Sequence, residues 1–523
     1  MLVLFLVAPV FATTDSYYGG PGRLMALGNI SFVAPETSNI IDLYSLGMTG
    51  GILLRPQVSV INLYPNLIMM AYNRESSTSY TDMQQFTLGS GQYRNINNGI
   101  IVWLNDSAVM VIRPILSGMA GFNHYVSTGM GTTEDANHMF DSNLSGEFEL
   151  AMRFSDLISA ALTGGYLRYD WGSDNTQDGE MSHYLFSKIN YQASLLLTPG
   201  GEWSYSFGFG NRGANGFLIP NDMGISEFFI DVQAYVGSVL DGSGFFNGYV
   251  DDDGTTIDTE NTDFIMQLMR ADMAAAYKGE GKTSFAVKLA LLFGLYGKHY
   301  NYEDSKDIGT GIVTVNTDEF RTFVQEGMGV DLDLQARLDW GTFLPALRLR
   351  YVRAWTLAYL DSGTMRSYQP YFLDITGGAG IQLSDGLLIP IEIFYNKSVM
   401  YSRAGTKDSY MEVPAAGVRL GAEFGANTGF VIRIGLDTSL NGYNSVNTDN
   451  GVITSESDPM GSDDNPFYAQ AGFNAGFGFK DESWESNIGV RYQADYRIPG
   501  YTGTTKARTN TVKIVTDVKW YIQ

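Results

Sequence analysis

The sequence contains no cysteine and only four histidines among its 523 residues. Disulfide frameworks, thiolate metal sites and cysteine nucleophiles are therefore excluded, and little histidine remains for acid–base chemistry. A membrane-spanning helix needs about 20 consecutive apolar residues. The longest uncharged apolar run here is the much shorter stretch from Leu2 to Ala12. These shortages exclude a disulfide-stabilised scaffold and a helical membrane protein.

Positive charge is scarce as well. The chain carries 33 Lys and Arg against 56 Asp and Glu, a net charge of −23. Because nucleic acids bind basic surfaces, a nucleic-acid partner is not expected. Glycine and aromatic residues are abundant, with 60 Gly, 30 Phe, 32 Tyr and 7 Trp. This mixture is typical of β-rich proteins.

The first residues resemble an export signal. The apolar run ends in Val10-Phe11-Ala12, a small-residue pattern typical of a signal-peptidase site, and polar residues follow. We therefore predict a signal peptide over residues 1–12. No Lys or Arg precedes Arg23, so the usual basic beginning is missing, which is compatible with a truncated start. A buried N-terminal strand is the alternative interpretation.

Strict alternation of apolar and polar residues is the main structural signal. In Val330 to Trp340 every second residue is apolar, and the intervening positions hold Asp331, Asp333, Gln335, Arg337 and Asp339. The same separation, with no charge at the apolar positions, recurs in six further stretches: 284–296, 389–396, 418–424, 430–437, 488–497 and 512–522. Alternation with period 2 predicts β-strands with one apolar face.

Strand length and turn spacing favour a membrane protein over a soluble sandwich, which also alternates. A membrane-crossing strand needs about 9 to 11 residues, and a Lys or Arg facing lipid costs about 2 to 4 kcal/mol at mid-bilayer. Long polar stretches alternate with tight-turn signals at 155–156, 199–201, 241–244, 279–281, 341–342, 384–386, 427–429 and 481–483. Short turns on one side and long loops on the other are typical of outer-membrane barrels.

The predicted fold is therefore all-β, a transmembrane antiparallel β-barrel of about 18 strands, with a range of about 14 to 20. We predict an N-terminal hatch or plug over residues 13–50 and the barrel over residues 51–523. The expected location is the outer membrane of a Gram-negative-type envelope, with outer-membrane lipid around the barrel. The inward acids and bases of the sampled strands are equal in number. That balance disfavours a general porin, in which charge of one sign would be expected.

Residues 19–50 do not alternate. Gly20, Gly22, Arg23, Gly28 and Ala34 belong to a glycine-punctuated apolar segment. This segment resembles the N-terminal hatch of the long-chain fatty-acid and hydrocarbon outer-membrane transporters, the FadL type, which opens with a Gly-x-Gly-Arg segment and Ala-rich short helices. An Asn-Pro-Ala signature follows in that family, and this chain lacks it.

The resemblance implies a transporter that passes hydrophobic or amphipathic small molecules, such as a fatty acid, past the hatch. The ligand-contacting residues that it implies are Leu24, Leu27, Ile30, Phe32 and Val33. Two alternatives remain open. The chain is a non-conducting structural or secretion-associated barrel that binds a surface protein through its loops, or the segment is a glycine-rich leader that only caps the barrel floor.

Two arginines on an inward strand face, Arg348 and Arg350, are candidates for binding an anionic head group such as a carboxylate. The alternative is that they pair with Asp331, Asp333 or Asp339 on the neighbouring strand.

Acidic residues suggest one metal site. Asp251, Asp253, Asp258 and Glu260 could hold Ca²⁺, which binds several oxygens on a flexible loop. A solvated acidic stretch without metal is the alternative. No other cofactor is expected, and the scattered histidines His124, His138, His183 and His299 form no catalytic motif, so the chain is not expected to be an enzyme.

Overall fold

The fold was analysed on a computed structural model of the 523-residue chain. The structure describes residues 21–30, 32–34, 53, 59–63, 65–75, 80–90, 99–128, 132–175, 181–210, 245–247, 249–250, 256–279, 283–307, 312–315, 321–360, 365–369, 371–384, 386–425, 429–442, 444–457, 467–480, 484–498 and 506–522. The predicted signal peptide, residues 1–12, lies outside the described residues.

One short helix and a single sheet make up the described part of the chain. The helix is α1, Pro21–Ala26. The sheet contains the strand segments β1 Ser59–Leu63, β2 Pro65–Glu75, β3 Tyr80–Ser90, β4 Gly99–Asn105, β5 Ala108–Thr128, β6 Thr132–Arg153, β7 Ile158–Asn175, β8 Met181–Gly200, β9 Trp203–Gly210, β10 Phe245–Asn247, β11 Tyr249–Val250, β12 Thr256–Lys278, β13 Ser284–Asp307, β14 Ile312–Val315, β15 Arg321–Arg337, β16 Phe343–Leu360, β17 Met365–Tyr368, β18 Tyr371–Ser384, β19 Leu387–Ala404, β20 Lys407–Phe424, β21 Phe430–Asn441, β22 Asn444–Asp449, β23 Val452–Ser457, β24 Phe467–Lys480, β25 Trp484–Ile498 and β26 Lys506–Ile522.

The strands pair in sequence order, and every described pairing is antiparallel. Some short segments continue one another, since β1 and β2 both pair with β26. The last strand thus hydrogen-bonds to the first ones, and β1 and β2 pair in turn with β4 and β3. The result is an all-β, barrel-like antiparallel sheet.

The two faces of the sheet have inverted polarity compared with a soluble protein. In β21 the apolar residues Ile432, Ile434 and Leu436 are exposed, whereas Arg433 and Asp437 between them are buried. We call the face with exposed apolar residues the outer face and the opposite one the inner face. Phe285, Val287, Leu291 and Phe293 of β13 likewise lie exposed on the outer face.

Lipid explains this inversion. A hydrocarbon solvent accepts apolar side chains and rejects charges, so apolar residues point outward and charged residues inward. Exposed aromatic residues such as Trp340, Trp355 and Trp520 match the aromatic girdles that meet the membrane interfaces. The chain is therefore an outer-membrane protein that spans the bilayer with its strands. Among the described residues, no helix has the length and apolarity to cross a membrane.

The strands on either side of seven of the eight predicted tight turns are consecutive and pair with each other, as β12 and β13 do. The eighth, at residues 241–244, lies outside the described residues. Two of the polar stretches predicted as long loops, 251–263 and 301–316, differ from the structure: β12 begins at Thr256 and β13 continues to Asp307, so both strands enter these stretches. Their backbone hydrogen bonds continue beyond the membrane, because antiparallel hairpins remain paired in water.

Candidate functional site

The N-terminal segment, of which residues 21–30 and 32–34 are described, lies against the inner face of the sheet. Pro21 occupies the first position of α1, where the missing N–H costs nothing. The helix ends at Ala26, and Gly28 and Asn29 shortly after it both have positive φ. Leu27 and Ile30 are fully buried. This short helix and the residues after it are thus enclosed by protein.

One side of the segment forms an apolar cluster with the inner face. Leu24, Leu27, Ile30 and Val33 each contribute about 1.5 to 3 kcal/mol by burial. Their partners are small or branched inner-face residues near the short turns: Ile101, Val109, Val111, Ala151, Ala161, Leu196, Ala274, Ala276, Ala286 and Ala346. Part of the interior at the short-turn end is therefore apolar, and the segment packs against it.

The other side of α1 touches strand backbones through glycines. A Cβ on Gly435 of β21 would lie 1.9 Å from the Gly28 nitrogen, and one on Gly421 of β20 would lie 2.4 Å from the Leu27 oxygen. A Cβ on Gly489 of β25 would lie 2.3 Å from the Gly22 oxygen. Only glycine permits such close approach of two backbones.

Three inner-face carboxylates bind the segment. Arg23 donates to Glu423 through Nε at 2.8 Å and through Nη2 at 3.0 Å. The Gly22 N–H donates to Asp517 at 3.1 Å. The backbone N–H groups of Phe32 and Val33 donate to one oxygen of Glu392, at 2.8 and 3.2 Å. We call Glu392, Glu423 and Asp517 the anchor carboxylates.

Neighbouring side chains hold the anchor carboxylates in place. Glu423 also accepts from Arg433 at 2.6 Å, and Glu392 pairs with Arg419. Asn487 donates to Asp517 at 2.6 Å. Charge-assisted hydrogen bonds of this kind are stronger than neutral ones. Each anchor therefore joins the segment to a fixed position on the sheet.

One arginine also binds the segment from the β15 side. Arg337 donates to the Phe32 carbonyl oxygen at 2.8 Å. Its guanidinium carbon lies 5.6 Å from the centre of the Phe32 ring. Phe32 is thus held by Glu392 at its N–H and by Arg337 at its carbonyl oxygen and ring.

The predicted head-group arginines are ion-paired. Arg348 donates to Asp333 at 2.8 and 3.2 Å, and Arg350 donates to Asp331 at 3.1 and 3.3 Å. Asp331 also pairs with Arg270 at 3.1 Å. The structure thus shows the pairing that the sequence left as the alternative, with Asp331 and Asp333 as partners.

Only two of the four predicted calcium-binding residues belong to the described part of the chain. Asp251 and Asp253 lie outside the described residues. Asp258 and Glu260 lie in β12, where their backbones pair with Asp304 and Tyr302 of β13. A Ca²⁺ site on this acidic stretch remains a prediction.

Sequence reasoning placed the anchor carboxylates on inward positions but did not connect them to residues 21–34. Glu392 and Glu423 carry the signal of a charge between two apolar residues on a strand. That pattern predicts an inward side chain and not its partner, because the partner lies about 360 to 400 residues away along the chain.

Comparison with protein-family models and with curated proteins finds no match. Among solved structures, the ferric citrate transporter FecA in its unliganded form has 8% identity and a TM-score of 0.38 over 89% of this chain and 79% of that one. The toluene transporter TodX of P. putida has 10% identity and a TM-score of 0.27 over 97% and 99%. The Ralstonia pickettii toluene transporter TbuX has 9% identity and a TM-score of 0.30 over the same shares.

Proposed function

We propose that this chain is an outer-membrane transporter of hydrophobic or amphipathic small molecules, and that residues 13–50 are its hatch. In this proposal the sheet closes into a barrel through the pairing of β26 with β1 and β2. Joining the segments that continue one another gives about 18 strand positions around it. The chain is a carrier and has no catalytic role.

The apolar cluster around residues 24–34 carries this proposal. A water-filled pore would be lined by polar residues throughout, as in porins. Here part of the inner face at the short-turn end is apolar, and an apolar segment packs against it. Binding sites for small molecules are mostly apolar with a few polar groups. This end of the interior therefore has the chemistry that an apolar ligand needs.

The ligand-contacting residues belong to the same proposal. Leu24, Leu27, Ile30, Phe32 and Val33 would contact the apolar part of the ligand. Arg348 and Arg350 would bind a carboxylate head group in exchange for Asp333 and Asp331, their present partners.

The test is uptake of a labelled long-chain fatty acid by cells that lack their own transporter. Cells with the wild-type chain should take up more label than cells with an empty vector. Deleting residues 21–34 should change that rate, because the deletion removes the apolar surface. Wild-type uptake equal to the empty vector would refute transport of this ligand class, provided heat-modifiable migration shows a folded barrel.

A non-conducting structural or secretion-associated barrel is the second candidate. The observation in its favour is that the anchor carboxylates and Arg337 fix the segment at both of its ends. Ion conductance in planar bilayers separates the candidates from a general porin. A large open conductance of the wild-type chain would indicate a porin. A silent chain that also fails the uptake test would support the structural role.

A further inference from the structure

Arg508, Tyr492, Tyr496 and Asn510 form a cluster with one positive charge on the outer face, where lipid is expected. Arg508 of β26 is exposed, and its backbone pairs with that of Tyr496 in β25. Residues that pair directly share one face of a sheet. Tyr492 and Tyr496 are themselves exposed on the outer face. Arg508 therefore extends along the surface that meets the membrane.

Neutral groups hold the Arg508 side chain. Its Nε donates to Asn510 at 2.9 Å and its Nη2 lies 3.4 Å from the Tyr492 hydroxyl, which itself donates to Asn510 at 2.8 Å. The guanidinium carbon lies 5.3 Å from the centre of the Tyr496 ring. The charge is thus oriented by an amide, a hydroxyl and a ring, and none of these described contacts neutralises it.

Acids near this cluster lie on other faces or farther away. Asp495 projects to the inner face, next to buried Gln493, which donates to it at 2.8 Å. In register, Arg508 pairs with Asn73 of β2, and Asn73 pairs with Asp82 of β3. Asp82 is thus separated from Arg508 by two strand spacings, about 10 Å between the backbones.

The membrane level of the cluster follows from the topology. The short turns, such as the one between β24 and β25, mark one end of the strands. Arg508 lies near the opposite end of β26, three residues into the strand. Outer-membrane barrels keep their short turns in the periplasm. The guanidinium is therefore near the outer interface, where lipid head groups carry phosphate.

We propose that Arg508, together with Tyr492, Tyr496 and Asn510, binds a phosphate group of a lipid in the outer leaflet. Arginine presents a planar fork of N–H donors that suits phosphate oxygens, and the tyrosine rings can lie along the acyl chains. This site is on the outer face and is independent of transport through the interior.

The experiment compares lipid binding by full-length variants in detergent using native mass spectrometry. The probes are lipid A and its fully dephosphorylated form. The wild-type chain should prefer lipid A, and Arg508→Gln should lower that preference about tenfold, the factor that 1.4 kcal/mol represents. Arg508→Lys should show an intermediate preference, because it retains charge but loses the fork.

Arg403→Gln is the matched control, since Arg403 is also exposed but pairs with Asp408 at 3.6 Å at a hairpin end. It should keep the wild-type preference. All variants should remain heat-modifiable on gels. An unchanged preference in Arg508→Gln, or an equal loss in Arg403→Gln, would overturn the site. Displacement of lipid A by inorganic phosphate would show a site for free phosphate and would overturn the lipid assignment.

Discussion

The carboxylate of Glu423 binds one arginine of the N-terminal segment and one arginine of the sheet. It accepts hydrogen bonds from Arg23 and from Arg433, and its side chain is nearly buried. Removing one partner of a buried ion pair leaves uncompensated charge and costs about 3 to 5 kcal/mol. Glu423→Gln should therefore lower the free energy of unfolding by about that amount, measured by urea titration in detergent.

Arg403→Gln provides the comparison for Glu423→Gln. The Arg403 side chain is 62% exposed, and exposed ion pairs contribute about 0 to 1 kcal/mol. Equal losses in the two variants would contradict the role of burial at Glu423.

Gly435 tests the contact between α1 and the sheet. A valine there would place its Cβ within 1.9 Å of the Gly28 nitrogen, so α1 must leave its position. Arg23 would then become accessible to trypsin, since α1 and its contacts with Glu423 and Asp517 no longer protect it. Gly435→Val should give a cleaved product that begins at Leu24, identified by mass spectrometry.

Gly164→Val is the matched control for this experiment. Gly164 is exposed in β7, and a Cβ there meets nothing within 4 Å. This variant should remain uncleaved at Arg23. A folded Gly435→Val chain that also resists trypsin would show that the segment is not held by this contact.

At the scale of elements, the β19–β20 hairpin extends beyond the membrane. Regular alternation of exposed and buried residues in β20 begins only at Ala415, and Tyr395 of β19 is the last exposed aromatic before the hairpin end. Above that level Lys397 and Tyr410 both bind Glu412. Burial raises the pKa of Tyr410 to about 12, and its hydrogen bond to Glu412 acts in the same direction.

The Glu412 carboxyl makes this hairpin sensitive to acid. Burial alone would raise the pKa of Glu412, but hydrogen bonds from Lys397 and Tyr410 hold it below its ordinary value. A lowered carboxyl pKa stabilises the folded form above the ordinary pKa, and the gain disappears as the pH falls through the lowered one. Amide hydrogen exchange in the hairpin, corrected for intrinsic rates, should therefore accelerate in that acidic window.

Glu412→Gln distinguishes protonation of Glu412 from destabilisation of the protein by acid at other groups. The variant cannot ionise, so its hairpin should exchange faster at neutral pH and show no additional step in acid. If the wild type and the variant have the same pH profile, the Lys397–Glu412 pair does not stabilise the hairpin.

At the scale of the whole molecule, the outer face must match the lipid. Ile434 lies on the outer face of β21 and is 48% exposed, whereas Ile453 is 56% exposed in β23, in a hairpin with β22. Ile434→Arg should hinder membrane insertion, because a lipid-facing Arg costs about 2 to 4 kcal/mol at mid-bilayer. Ile453→Arg should insert normally. The yield of heat-modifiable protein in outer-membrane fractions measures both, and equal yields would contradict the assignment of the outer face.

Net charge is also distributed unevenly over the molecule. Buried inner-face acids such as Asp331, Asp333 and Asp437 are matched by arginines on nearby strands. The excess of acid belongs to stretches that contain no Lys or Arg, namely 170–183, 251–263 and 442–466. These acidic stretches would attract divalent cations or basic partners, whereas the interior remains close to neutral.

The all-β class, the strand faces and most short turns were predictable from the sequence. They depend on period-2 alternation and on local turn residues, both of which operate over a few neighbouring positions. Residues such as Arg433 and Asp437 could be assigned to the inner face for that reason. The strand extensions beyond the membrane were missed, because polar hairpins in water show no apolar alternation.

The candidate site was predictable only in part. The sequence predicted a hatch or plug over residues 13–50 with Leu24, Leu27 and Ile30 as ligand contacts; the structure shows these three residues buried, and their role in ligand binding stays a prediction. The segment's partners Glu392, Glu423 and Asp517 were recognisable as inward charges but not as anchors. Likewise, Arg508 lies just beyond the alternating stretch 512–522, so only its contacts revealed it as an outward cation.

The sequence by itself determined which side of each strand faces lipid, because that side follows from the alternation of apolar and polar residues at consecutive positions. The tertiary structure alone decided which charges meet, since Arg23 and Glu423 are 400 residues apart and only the packing of the N-terminal segment on the inner face brings them together. It also decided where two backbones touch, as at Gly28 and Gly435, because close packing depends on the positions of both partners and no local pattern records it.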